Sequence, residues 1–256
     1  MSRSRFAFFA TIALLLPVFS LRAASHAASE DPNETRIAIV GDSTACIYPK
    51  ELPYRGWGQF LPYYFKDSVH IFNEARPGRS TKTYMIEGSW KGVLKDKPKF
   101  IIIQFGTNDS LDARKKVNNL PVGVDSEVSY RMFLQRYVDG ALKISAIPIL
   151  VSPAHPRVFG PNGKLIDVLG NYVETMKEVA AARGIAMVDL YTASGELWEK
   201  LGEQACTQFE PVRNDRIHFN ALGAKAMAEL VMRRLPKVEP RIADYLGPAP
   251  TLLGNE

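Results

Sequence analysis

Two short segments near opposite ends of the chain carry residues that could do chemistry together. Near the start, the apolar run Ile37-Ala38-Ile39-Val40 ends in Gly41-Asp42-Ser43-Thr44. Near the end stands Asp215-Arg216-Ile217-His218-Phe219-Asn220. A serine on a strand-end turn, a histidine to take its proton and an acid to orient that histidine fill the three roles of serine-based acyl transfer. A neutral serine hydroxyl is a poor nucleophile and needs its base within roughly 2.6–3.2 Å. Past residue 27 the histidines are His70, His155 and His218. His70 opens an apolar strand and reads as structural, and His155 lies in a loop. His218 is the best base, and Asp215 reaches the same imidazole if the intervening loop turns back on itself. Alone, Asp-x-x-His also fits a helix-capping aspartate beside a surface histidine.

Attack on an ester creates an oxyanion, which needs preorganised donors. Gly78 can offer an unobstructed backbone N–H, Asn108 its side-chain amide, and Ser43 its own N–H. Each has a plainer reading: glycine serves tight turns by default, and asparagine serves turns and caps.

These residues must be brought together by the elements between them. Short apolar runs recur at Arg36–Val40, Val69–Phe72, Phe100–Phe105, Ile147–Val151 and Ile185–Val188. Each is rich in Ile, Val or Phe and bounded by turn residues, which predicts buried parallel strands. Helical stripes lie between them: Tyr130, Phe133, Leu134, Tyr137 and Leu142, then Val168, Tyr172, Val173, Met176 and Val179. Ala221 to Leu235 reads as the last helix, stopped by Pro236, with a Pro-rich tail over residues 236–256 lying extended on the surface. Alternating strand and helix predicts an α/β, three-layer, doubly wound sandwich around a central parallel sheet of about five strands. Ligands bind such sheets outside the carboxyl ends of the strands, where Ser43, Gly78 and Asn108 are expected to fall.

The chain opens with Arg3 and Arg5, an apolar run from Phe6 to Leu21, and Ser25 and Ala27 at the minus-three and minus-one places of a signal-peptidase site. This predicts a secretory signal peptide over residues 1–27, a secreted or periplasmic protein, and one catalytic domain over 28–235. The apolar run is short of the roughly 20 residues of a spanning helix and contains Pro17, so no membrane association is expected after cleavage. Residues 1–27 hold three arginines and no acid, so the net charge of +5 falls to +2 without them. No dense basic patch interleaved with aromatics points to nucleic acid. Cys46 and Cys206 could pair in an oxidising compartment if the fold brings their Cα atoms within about 7 Å; two separate buried thiols is the alternative. A monomer is the default.

The order of Gly-Asp-Ser, Gly78-Arg79-Ser80, Gly106-Thr107-Asn108-Asp109 and Asp215-x-x-His218-Phe219-Asn220 resembles the SGNH, or GDSL, hydrolase superfamily over roughly Arg36 to Leu235. Within it the chain looks most like the rhamnogalacturonan acetylesterases, through Gly78-Arg79-Ser80-Thr81, Glu87-Gly88-Ser89-Trp90, Gly163-Lys164-Leu165-Ile166, Asp189-Leu190 and His218 through Ala224. The resemblance implies a flavodoxin-like fold, Ser43 as nucleophile, His218 and Asp215 completing the triad, and Ser43, Gly78 and Asn108 in the oxyanion hole. It implies removal of acetyl groups from plant cell-wall polysaccharide with no metal or other cofactor. Thr107 and Ile217 stand where histidine and threonine are frequent, differences that bear on the sugar rather than the chemistry.

A polysaccharide substrate calls for aromatic faces and hydroxyl- or uronate-reading side chains in an open groove. Arg79, Tyr84, Trp90, His155 and Arg157 are the candidates, with Trp57 beside them. Three rival functions remain: a lipid or aryl esterase, an inactive carbohydrate-binding protein, and a metal-dependent phosphoesterase using Asp42, Asp109, Asp215 and two histidines. The last lacks a compact metal-ligand spacing.

Overall fold

The computed structural model describes residues 34–250 apart from position 113. The export signal expected over residues 1–27 lies outside these residues. The apolar runs form β1 (Thr35–Gly41), β2 (Val69–Asn73) and β3 (Phe100–Gln104), then, after a small hairpin of β4 (Lys116–Val117) and β5 (Leu120–Pro121), β6 (Ile147–Val151) and β7 (Ala186–Val188). The five longer-range strands pair in parallel in the order β2-β1-β3-β6-β7. That is the doubly wound order whose direction of winding reverses between β1 and β3.

Side chains alternate across a strand, and here both faces are apolar. Ile37, Ile39, Phe100 and Ile102 enter one core, while Ala38, Val40, Ile101 and Ile103 enter the other. Each fully buried Ile or Phe contributes about 1.5–3 kcal/mol of burial, so β1 and β3 hold the sandwich together from its centre. One face is covered by α1 (Thr81–Ile86), α2 (Ser89–Lys95), α3 (Arg131–Lys143) and α4 (Gly170–Arg183). The other face is covered by α5 (Leu190–Leu201), α6 (Glu203–Cys206), α7 (Ala221–Met232) and α8 (Leu235–Val238). No helix among the described residues is long and apolar enough to cross a membrane.

Three details depart from the sequence reading. Leu142 is exposed while Val138 and Ala141 are buried, because a residue five beyond Tyr137 points well off its stripe whereas one four beyond stays on it. Val168 precedes α4 and is exposed; Leu169 takes the buried place. The tail does not lie extended on the surface. Pro236 sits in the first turn of α8, where a missing N–H costs nothing. The 3₁₀ turn Pro240–Tyr245 then buries Ile242 completely. Backbone N–H groups of Lys66 and Gly247 donate to Tyr245 and Tyr64 carbonyls, and Phe65 bridges Leu246. The tail thus closes the amino-terminal edge of the sheet, opposite the edge where β1 and β3 end.

Candidate active site

β1 ends at Gly41, level with Gln104 of β3. A Cβ at Gly41 would meet the Gln104 carbonyl oxygen at 2.7 Å, so only glycine lets the strands stay this close. The next carboxylate folds the chain over: Asp42 Oδ1 accepts from the Thr44 N–H at 2.9 Å, and the Thr44 hydroxyl lies 2.8 Å from it. This Asx-type turn sets Ser43 at the corner. Asp42 is fully buried, and that burial raises its pKa against the two Thr44 hydrogen bonds. Gln104 Oε1 braces the turn from below, 2.8 Å from the Thr44 hydroxyl, and accepts from Trp57 Nε1 at 3.3 Å.

His218 meets Ser43 here, with Nε2 at 2.9 Å from the serine Oγ. Its Nδ1 lies 2.9 Å from Asp215 Oδ2 and 3.2 Å from Oδ1. An ionised carboxylate only accepts, so Nδ1 carries the proton and the neutral Nε2 is free to accept from Ser43. Asp215 Oδ1 also accepts from the His218 and Ile217 N–H groups at 2.9 and 3.0 Å. Burial pushes Asp215 upward, but the His218 contact and these backbone donors outweigh it and hold its pKa down to about 2. The capping alternative is answered two residues past His218: Asn220, not Asp215, caps α7 by accepting from the Gly223 N–H at 3.0 Å.

The loop after β2 is tied to the same edge by the Arg76 N–H, which donates to the Gly41 carbonyl at 2.9 Å. Gly78 has φ +76°, a left-handed conformation that favours glycine. Asn108 Nδ2 donates to the Arg79 carbonyl at 3.1 Å, joining the β3 loop to the Gly78 loop. Asp109 locks the pair: it accepts from the Thr81 N–H at 3.0 Å, the Thr81 hydroxyl at 2.5 Å and the Gly106 N–H at 3.1 Å. Complete burial raises Asp109 to about 7, opposed by the Thr81 and Gly106 donors and reinforced by the charge of Asp42.

The residues expected to hold a glycan fare differently. Tyr84 is fully buried and donates to the Glu74 carbonyl at 2.8 Å. Trp90 packs edge-on against Tyr137 at 4.9 Å, and Trp57 has no exposed surface. None of these three rings can stack on a sugar. Arg157 is likewise fully buried; its Nη2 donates to the carbonyls of Asp215 and His218 at 2.8 and 2.6 Å. His155 stacks on Tyr191 at 4.2 Å, its Nδ1 lies 2.7 Å from the Pro156 carbonyl, and burial lowers its pKa. Arg79 keeps part of its guanidinium in solvent but pairs Nε with Glu87 at 3.0 Å. Two residues that no sequence pattern marked also border the site: the Tyr54 ring meets the His218 ring edge-on at 5.6 Å, and the Tyr48 hydroxyl donates to the Ser43 carbonyl at 3.0 Å. Their only signal was closeness to Ser43 in sequence. Cys46 and Cys206 are separate buried thiols, not a disulfide: their sulfurs face the Ser43 and Trp198 carbonyls, each at 3.6 Å.

A serine, an imidazole and a carboxylate in contact at the β1/β3 switch point have the chemistry that a carboxylic ester hydrolase can use. The chain belongs to the GDSL-like lipase/acylhydrolase family, whose sequence profile matches residues 39–226, well over half of its length. Over 207 residues it is 28% identical to the "Probable rhamnogalacturonan acetylesterase YesY" of Bacillus subtilis strain 168, covering 79% of this chain and 93% of that protein. It is 27% identical to the rhamnogalacturonan acetylesterase RhgT of the same organism over 82% of this chain and 94% of that one. Among solved structures, the acetylxylan esterase Axe2 of Geobacillus stearothermophilus superposes with a TM-score of 0.61 at 18% identity, covering 79% of this chain and 95% of that one. At that identity the likeness speaks to the fold.

Proposed function

We propose that this esterase removes O-acetyl groups from a plant cell-wall polysaccharide, a pectic rhamnogalacturonan first, through an acyl-enzyme on Ser43. The observation that carries the reading is the continuous contact from Ser43 Oγ to His218 Nε2 and from Nδ1 to Asp215, at 2.9 Å each. His218 takes the Ser43 proton as the hydroxyl attacks the acetyl carbonyl. The N–H groups of Ser43 and Gly78 and the second amide proton of Asn108 receive the oxyanion. The sugar alcohol leaves with the proton from His218, and water activated by the same imidazole releases acetate. The pectic substrate is supported by the names of the curated relatives, and an extracellular or periplasmic site of action by the export signal read in residues 1–27.

The test is acetate release by the mature protein and its Ser43→Ala variant from acetylated rhamnogalacturonan, homogalacturonan, xylan and a long-chain p-nitrophenyl ester. Serine-dependent release, lost by roughly 10⁴-fold or more in Ser43→Ala and fastest on the pectic polymer, is expected. Preference for xylan keeps the mechanism and changes the glycan. Preference for the long-chain ester replaces the glycan with a lipid.

A further inference from the structure

The loop that carries both the acid and the base is fastened from beneath by one buried cation. Arg157 stands after β6, far in sequence from residues 215–218, and has no exposed surface. Its Nη2 donates to the carbonyls of Asp215 and His218, the first and last residues of the turn. Its main-chain N–H donates to the Arg216 carbonyl between them, at 2.8 Å. The guanidinium lies over the rings of Phe219 and Trp198, 5.0 and 5.6 Å from their centres. Its Nε and Nη1 find no hydrogen-bond partner among the described residues.

A buried charge without a directly bonded carboxylate is expensive. A mere filler would be served better by Met or Leu. What the arginine supplies is a planar fork that satisfies two carbonyls at once, with flat faces that aromatic rings can cover. The turn is thereby oriented as a whole. Its two end carbonyls point inward to Arg157, while the N–H groups of residues 217 and 218 point to the Asp215 carboxylate. We infer that Arg157 is a positioning residue for catalysis: by anchoring both ends of the 215–218 turn it holds the His218 imidazole in line with Ser43, rather than contacting substrate. This rests on the reading of Ser43 and His218 as nucleophile and base.

Positioning and plain stabilisation separate in the kinetics. The wild type, Arg157→Met, Arg157→Lys and Ser43→Ala are compared on p-nitrophenyl acetate. Active sites in the first three are counted by exhaustive labelling with an organophosphonate, so that unfolded protein does not enter kcat. An imidazole moved by even an ångström loses much of its effect. Arg157→Met is therefore expected to lower kcat per labelled site by at least about tenfold with KM nearly unchanged, and to slow phosphonylation in parallel. Arg157→Lys, a point donor without the fork, is expected to fall between. A kcat per site within twofold of wild type in Arg157→Lys or in a folded Arg157→Met overturns the inference. If Arg157→Met does not fold, Arg157→Lys decides alone. Full activity in Ser43→Ala is a different failure: it removes the acyl-enzyme reading itself.

Discussion

Asp215 receives an imidazole and two backbone N–H groups. Its folded pKa of about 2 lies below the ordinary 3.8. The folded state therefore binds fewer protons than the unfolded chain in that window. The resulting stability is fully present above roughly pH 4 and is lost as pH falls through about 2. Asp215→Asn is expected to flatten this acid loss in melting curves between pH 2 and 4 and, by favouring the wrong imidazole tautomer, to lower kcat by about 10⁴-fold. An unchanged kcat would count against the assignment. That Ser43, His218 and Asp215 would meet was legible in sequence because their types and order constrain one another. The side chains expected to read a sugar were harder to place. An arginine or aromatic near a motif reads the same whether it faces in or out, and packing sent Tyr84, Trp90 and Arg157 inward. Tyr54, which does border His218, stood in no pattern at all.

At the scale of elements, the Gly78 and Asn108 loops depend on a conformation and a carboxylate. Gly78 has φ +76°, and among the described residues only Val117 Cγ2, at 3.5 Å, would touch an added Cβ. Gly78→Ala should therefore fold, lose about 1–2 kcal/mol to left-handed strain, and slow catalysis if relief of that strain moves the N–H. Denaturant melts and kcat on one preparation read both. Asp109 is the opposite case from Asp215. Its folded pKa of about 7 lies above 3.8, chiefly through burial, so the folded protein holds the extra proton. Stability then declines as pH rises between roughly 4 and 7. Asp109→Asn should remove that decline from a melting-temperature profile, and an unchanged slope would contradict the assignment. The central strands β1, β3 and β6 were legible because a strand buried on both faces is an unbroken apolar run. Helix ends were less so, since a single-residue offset decides whether Leu142 or Ala141 meets the core.

Across the whole molecule, chemistry and closure occupy opposite edges of one sheet. Ser43 and the Asn108 loop leave its carboxyl edge, while the tail seals its amino edge through Ile242 and Tyr245, whose ring meets Phe100 at 5.6 Å. The tail escaped the sequence reading because prolines signal interruption, and Pro236 and Pro240 here open short helical turns. Ile242→Ala should cost about 2–5 kcal/mol of stability yet leave kcat/KM unchanged at temperatures where the protein is folded. Altered kinetics would mean that the edges are coupled. On the proposed mechanism Ser43 carries the acetyl group in turnover. The most direct test is acid quenching of the wild type within milliseconds of mixing with an acetylated substrate, followed by peptide mass spectrometry. One acetyl group on Ser43, absent from Ser43→Ala, is expected. Steady acetate release with Ser43 never acetylated, or an acetyl group held on another residue, would contradict it.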